Sequence, residues 1–121
     1  MDGRSVLVVE DHFLIADDIA AMLRERGAQV VGPANTLPTA MRLAGDTARI
    51  DVALLNINLK GVTVFPLADE LISRGVPILF LTGYGEDIIP GEYADIRRCD
   101  KPIAACRVVD ELRALIQPIA A

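Results

Sequence analysis

Short apolar runs that alternate with helical patterns constrain the fold of this 121-residue chain more than any other feature. Val6–Val9, Val52–Ile57 and Pro77–Thr82 are nearly uninterrupted apolar segments, which is typical of parallel strands covered on both faces. Gln29–Gly32 predicts a further strand, and the polar segment Ile96–Cys99 suits a fifth strand at a sheet edge. Strands separated by helices at this period predict an α/β domain in which helices cover both faces of a parallel sheet.

The helices are predicted from apolar residues at helical spacing and from the residues that begin and end each segment. The segments run from Asp11 or His12 to Gly27, from Thr36 to about Ala44, over Phe65–Arg74 and over Ala104–Gln117. Glycines and a proline interrupt Gly83–Asp95, so we expect a short or irregular fourth helix of one or two turns there, in a mobile segment. Asn58–Thr63 is predicted to be a loop. With no internal repeat or linker, residues 1–121 are expected to form one domain.

Composition excludes several classes of function. No apolar run approaches the roughly 18 residues that span a bilayer, and the first residues lack the layout of a signal peptide. A net charge of −5 argues against direct binding to nucleic acid, because no basic face would release counterions. Cys99 and Cys106 have no metal-ligand spacing and are expected to be reduced thiols. We therefore expect a cytoplasmic protein that contacts neither membrane nor nucleic acid.

Polar side chains follow the predicted strands at the points where the strands end. Glu10-Asp11 closes the first strand, Asn56 lies at the end of the third, Thr82 closes the fourth and Lys101-Pro102 follows the fifth. In doubly wound sheets, ligands bind beyond the carboxyl ends of the strands, near the point where the strand order reverses. Two acids, an amide, a hydroxyl and an ammonium are therefore expected to meet in one site.

At these residues the chain resembles the response regulator receiver domain, the phosphorylated module of two-component signalling. The resemblance extends from Val6 to about Ile116 and rests on four motifs, Val-Leu-Val-Val-Glu10-Asp11, Leu-Leu-Asn56-Ile-Asn58-Leu, Phe-Leu-Thr82-Gly83 and Asp-Lys101-Pro102. It implies a flavodoxin-like, doubly wound, five-stranded parallel sheet with strand order 2-1-3-4-5. It also implies a signalling module that is not an enzyme.

The resemblance implies a metal site and a phosphate site. Glu10 and Asp11 match the acidic pair that binds a divalent ion, usually Mg²⁺, and Asn58 matches the position whose backbone carbonyl completes the metal shell. Hard cations prefer such oxygen ligands. Thr82 and Lys101 match the hydroxyl and the ammonium that sense a phosphoryl group.

Asn56 falls on the phosphoacceptor aspartate of the family and is the first departure from its pattern. An amide is not a nucleophile toward phosphorus at neutral pH, so phosphotransfer to this position should fail. Losing one carboxylate should also weaken Mg²⁺ binding, since two unit charges about 5 Å apart interact by roughly 3 kcal/mol at an effective dielectric near 20. A buried amide needs a partner, and we expect a hydrogen bond toward Lys101 or Thr82.

Two origins of Asn56 are compatible with the sequence. Either the asparagine is native and the chain is a degenerate receiver that signals without phosphorylation, or it replaces a natural aspartate and locks the unphosphorylated state. The intact supporting residues, Glu10, Asp11, Thr82 and Lys101, favour a recent or deliberate loss.

The second departure is Arg98, three residues before Lys101, where the family usually has a switching Tyr or Phe. A charged side chain cannot exchange into an apolar slot as a ring does. Phe80-Leu-Thr82-Gly83-Tyr84 partly resembles a receiver subclass with Phe-Ala-Thr-Gly at this place, which raises the hypothesis that Tyr84 replaces the ring.

The partners implied are a histidine kinase or phosphotransfer protein, and a downstream regulator or second copy docked on the face of Gly83–Asp95, the fifth strand and the last helix. Two alternatives stay open. A flavodoxin-like cofactor-binding domain or small enzyme would need a phosphate-cradling loop after the first strand, where Glu10 and Asp11 would instead repel phosphate. The chain could also be the receiver part of a longer regulator with a DNA-binding or enzymatic output.

Overall fold

A five-stranded parallel sheet forms the centre of the computed structural model, which describes residues 1–83 and 89–116. The strands among these residues are β1 (Ser5–Val9), β2 (Gln29–Ala34), β3 (Val52–Asn56), β4 (Asn58–Leu59), β5 (Val62–Thr63), β6 (Ile78–Gly83) and β7 (Arg97–Lys101). The large sheet has the order β2-β1-β3-β6-β7, and all of its neighbouring strands are parallel. Without the short β4–β5 hairpin, this is the predicted order 2-1-3-4-5 of a flavodoxin-like fold.

Within the described part of the chain, four α-helices cover the two faces of the sheet, as predicted. They are α1 (Phe13–Glu25), α2 (Leu37–Asp46), α3 (Phe65–Ser73) and α4 (Ala105–Leu115). Successive strand residues point to opposite faces, so each strand contributes to two separate cores. Leu7 and Leu55 pack with α2 and α3 in one core, while Val8 and Leu54 pack with α1 and α4 in the other. Within the described residues, no helix has the length and apolar character needed to cross a membrane.

Several predicted boundaries and one predicted loop differ from the structure. The second strand continues past Gly32 to Ala34 through a register shift, and Gly32 has a φ of 100°. A Cβ on Gly32 would lie 2.8 Å from the carbonyl oxygen of Val8, so only glycine fits this bulge. The predicted loop Asn58–Thr63 is instead the small antiparallel β4–β5 hairpin.

The last strand begins one residue later than predicted and continues to Lys101, because it pairs with β6 up to Gly83. This pairing brings the ammonium of Lys101 to the same edge of the sheet as the end of β6. The predicted helix starts are largely confirmed. Thr36 caps α2 by accepting a hydrogen bond from the N–H of Thr39 (3.4 Å), and His12 occupies the N-cap position of α1.

Helix α3 is tied to its neighbours on both sides. The guanidinium of Arg74 donates to the carbonyls of Ala44 (2.8 Å) and Thr47 (2.7 Å), at the end of α2. On the other side, the hydroxyl of Tyr93 donates to Oδ1 of Asp69 (2.5 Å), and its ring stacks on Phe65 with ring centroids 4.6 Å apart.

The segment that connects β6 to β7 contains a single 3₁₀ turn, Gly91–Tyr93, among its described residues. This agrees with the short, irregular element predicted for Gly83–Asp95. Residues 84–88, which include Tyr84, lie outside the described residues, and so does Gln117 at the predicted end of the last helix.

Candidate functional site

The carboxyl ends of four neighbouring strands bring the predicted site residues together. They are Glu10 and Asp11 after β1, Asn56 at the end of β3, Thr82 in β6 and Lys101 at the end of β7. Because β1 pairs with β3 and β6 pairs with both β3 and β7, these side chains come from four adjacent positions along the sheet edge. Glu10, Asn56 and Thr82 are buried, with 1%, 5% and 3% of their surfaces exposed.

The side-chain amide of Asn56 is directed at the acidic pair. Its Nδ2 donates to Oε2 of Glu10 (3.0 Å), to Oδ1 of Asp11 (2.8 Å) and to the backbone carbonyl of Asn58 (3.0 Å). The predicted bond toward Lys101 or Thr82 is therefore wrong. Lys101 is instead paired with Glu10 and the Thr82 hydroxyl donates to Asp100, while the carboxylates and the Asn58 carbonyl offer Nδ2 the acceptors that it needs.

A buried ion pair joins the first strand to the last. The Nζ of Lys101 lies 2.5 Å from Oε1 of Glu10, whose side chain is fully buried. The other oxygen of Glu10 also accepts a hydrogen bond from the N–H of His12 (2.9 Å). Burial raises the pKa of the Glu10 carboxyl above its ordinary value, although the Lys101 ammonium and the His12 N–H act to lower it.

Asp11 has the opposite shift. Burial alone would raise the pKa of its carboxyl, but hydrogen bonding with Glu10, with the N–H of Lys60 and with the Asn56 amide lowers it overall. The N–H of Lys60 donates to Oδ2 of Asp11 at 3.0 Å. The pKa values of the two acids are therefore shifted in opposite directions.

Thr82 faces the last strand. Its hydroxyl donates to Oδ1 of Asp100 at 2.6 Å, and the two residues are paired in the β6–β7 register. Sequence reasoning missed Asp100 as a partner, although an acid directly before Lys101 was visible. Only the strand register places it beside Thr82.

Arg98 is exposed on the edge strand, opposite the buried Phe80 in the β6–β7 register. A second buried ring in this region is that of Tyr93, which sequence reasoning also missed. It packs at right angles to Phe80, with ring centroids 6.4 Å apart. Its hydrogen bond to Asp69, and to a smaller extent its burial, raise the pKa of Tyr93 to about 12.

The donor set of the site suits a hard cation in its chemistry. Two carboxylates and a backbone carbonyl converge on one point, from Glu10, Asp11 and Asn58, and oxygen donors of this kind are those that Mg²⁺ prefers. That point is taken by Nδ2 of Asn56. Over residues 1–83 and 89–116, no cluster of three or more Asp, Glu, His or Cys side chains forms a metal site.

Next to the acidic pair lies an open cavity of about 250 Å³. Glu10, Asp11 and Asp17 line this cavity, together with Asn35. Phe13 also lines this cavity and is the most exposed of the large apolar side chains among the described residues, at 77%. The site is thus bordered on the α1 side by acidic groups and an exposed ring.

Relatives of known function share part of the sequence. A stretch of 89 residues, 72% of the chain, is 33% identical to the phyllosphere-induced regulator PhyR of Methylorubrum extorquens, and 84 residues, 69% of the chain, are 33% identical to the transcriptional regulatory protein PdtaR of Mycobacterium tuberculosis. The chain spans only 33% and 40% of the length of these two proteins.

Solved structures share the fold. The solution structure of SdrG from Sphingomonas melonis is 32% identical and superposes with a TM-score of 0.79, covering 93% of this chain and 95% of that one. The non-phosphorylated HemR receiver domain from Leptospira biflexa has a TM-score of 0.80 at 22% identity, covering 98% of both chains, and shows likeness of fold alone. Residues 6–112 match the family described as the response regulator receiver domain. The chain therefore belongs to the receiver domain family of two-component response regulators.

Proposed function

We propose that this chain is a receiver that works as a protein-interaction module and does not accept a phosphoryl group at Asn56. The observation that carries the proposal is the amide at the end of β3. Its nitrogen is engaged by two carboxylates and a carbonyl, and an amide oxygen carries no charge to attack phosphorus. The chain has no catalytic residue in this proposal and is not an enzyme.

The surrounding groups retain the roles that the family resemblance gives them. Glu10, Asp11 and the carbonyl of Asn58 would hold Mg²⁺ weakly, and Thr82 and Lys101 would face a phosphoryl group if one were present. In support, all five residues lie at one edge of the sheet. As the chain stands, Lys101 is paired with Glu10 and the Thr82 hydroxyl with Asp100.

The partner we propose is a histidine kinase or a phosphotransfer protein, since receiver domains interact with proteins of these classes. A downstream regulator or a second copy would dock on the face formed by β7, α4 and the segment before β7. This face carries Arg98 in place of an aromatic switch, so a contact there would not depend on a ring moving between two positions.

The first experiment compares the chain with its Asn56→Asp variant in the presence of Mg²⁺ and acetyl phosphate, followed by intact-mass measurement. The aspartate variant is expected to gain one phosphoryl group and the parent none. Asn58→Asp is the matched control, because it adds a carboxylate two residues away at an exposed position and should stay unmodified. Phosphorylation of the parent chain, or of neither chain, contradicts the proposal.

The second experiment measures binding of the cognate kinase to the parent chain with and without acetyl phosphate. Equal affinity in both conditions is expected of a module that works without phosphorylation. A phosphodonor-dependent change in the parent chain would show that another residue accepts the group. The flavodoxin-like enzyme alternative has no support from the family match, and the carboxylates after β1 disfavour a bound phosphate there.

A further inference from the structure

Three oxygen atoms surround the side-chain nitrogen of Asn56 at nearly equal distances. They belong to the carboxylates of Glu10 (3.0 Å) and Asp11 (2.8 Å) and to the carbonyl of Asn58 (3.0 Å). The orientation of the amide follows from this environment, because Oδ1 in the same place would face three acceptors with no proton to share. The amide thus presents its positive end to the acidic pair.

We propose that the Asn56 amide takes the place of the divalent cation and makes the folded site independent of metal. The three oxygens that it contacts are the same three that the proposed function assigns to Mg²⁺, and on that assignment this inference rests. The N–H of His12 donates to Glu10, the N–H of Lys60 donates to Asp11, and the Lys101 ammonium pairs with Glu10. Donor groups of the protein therefore contact both acids at the end of β1 without a metal ion.

This inference differs from a loss of affinity caused by charge alone. If Mg²⁺ binds weakly only because a carboxylate is missing, then removing the amide should change nothing, since Glu10 and Asp11 stay in place. If the amide occupies the position of the cation, removing it opens that position. Mg²⁺ should then bind more tightly although no carboxylate has been added.

The test uses the Asn56→Ala variant of the full chain and a titration with MgCl₂, followed by thermal unfolding. In EDTA the variant is expected to unfold at a lower temperature than the parent, because Glu10 and Asp11 lose a shared donor. Mg²⁺ should restore much of that loss and bind the variant roughly tenfold more tightly than the parent. The unfolding temperature of the parent should not change at the Mg²⁺ concentrations that stabilise the variant, and it should rise only at roughly tenfold higher ones.

Asn35→Ala is the matched control. Asn35 is exposed and lines the cavity beside Glu10 and Asp11, so its loss removes an amide near the acids without opening the position of the cation. The unfolding temperature of this variant should depend on Mg²⁺ in the same way as that of the parent. Equal Mg²⁺ affinity in the Asn56→Ala variant and the parent would overturn the inference, while leaving the failure of phosphotransfer to Asn56 untouched.

A second readout needs no substitution and covers the case in which the alanine variant does not fold. In the parent without metal, the side-chain NH₂ protons of Asn56 should exchange with water much more slowly than those of exposed Asn35 in the same NMR spectrum. Exchange as fast as that of Asn35 would mean that the amide does not hold the acids. Slow exchange that persists in millimolar Mg²⁺ is the expected result.

Discussion

The two halves of the site differ in how deeply their charged groups are buried. At the ends of β1 and β3, the buried acid Glu10 and the partly buried acid Asp11 meet an amide, two backbone N–H groups and the ammonium of Lys101 from β7. At the ends of β6 and β7, buried Thr82 makes one bond to Asp100, which is exposed, and Arg98 also faces solvent. The first half must neutralise charge away from water, and the second half does not.

This contrast sets the stability cost expected of a substitution in each half. An unpaired buried charge costs several kcal/mol. In the first half, donor groups of the protein contact both acids, Glu10 and Asp11. On the edge strand, water screens charges and can replace a lost partner. The arginine at position 98 is therefore expected to cost little stability, although the family usually has an aromatic ring at this position.

The largest effect is expected from breaking the ion pair that joins β7 to β1. Lys101→Met leaves the fully buried Glu10 carboxyl without its cation and should lower the free energy of unfolding by about 3–5 kcal/mol. Chemical denaturation at neutral pH measures this loss. The double variant Glu10→Gln with Lys101→Met should recover most of it, and a single-variant loss under about 1 kcal/mol would mean that the pair behaves as a surface pair.

A smaller effect is expected at the crossover between β6 and β7. Tyr93→Phe removes the hydroxyl that donates to Asp69 and should cost about 1–2 kcal/mol at neutral pH. The parent has a second, pH-dependent signature. The pKa of Tyr93 is raised to about 12, so its contribution is fully present below the ordinary tyrosine pKa of 10 and is lost as the pH rises toward 12.

Unfolding measured from pH 9 to pH 12 separates the two chains, because the phenylalanine variant should lack this alkaline loss. Asp69→Asn is the control, since it keeps an acceptor oxygen but removes the charge that raises the Tyr93 pKa. Identical alkaline profiles for the parent and the phenylalanine variant would exclude Tyr93 as their source.

The smallest effect is expected at the ends of β6 and β7. Thr82→Val keeps the shape of the side chain and removes its bond to Asp100, which should cost about 1 kcal/mol or less because Asp100 is exposed. Denaturant titration of this variant beside Lys101→Met gives the comparison directly. A loss as large as that of Lys101→Met would remove the distinction between the two halves.

Much of the fold could be predicted from the sequence because its strongest signals are local. Apolar runs such as Val6–Val9 and Val52–Ile57 mark strands buried on both faces, and the polar segment before Lys101 marks an edge. The grouping of the site followed from a general rule, that the carboxyl ends of parallel strands meet at one side of a sheet. Neither inference required the position of any single side chain.

The directions of the hydrogen bonds could not be predicted in this way. Whether Asn56 turns toward Lys101 or toward Glu10 depends on which acceptors lie within 3 Å, a matter of side-chain geometry. The Thr82–Asp100 bond depends on the β6–β7 register, and the predicted strand ended two residues before Lys101. Tyr93 was missed because its partner Asp69 lies 24 residues away on another element.

Helix α3 has a mechanical consequence for the face of the sheet that it shares with α2. Arg74, directly after α3, donates to carbonyls at the end of α2. Asp69, within α3, accepts a hydrogen bond from Tyr93 in the segment before β7. A partner that displaces α3 would therefore pull on two regions that are far apart along the chain. The end of α2 and the segment before β7 would then move together with α3.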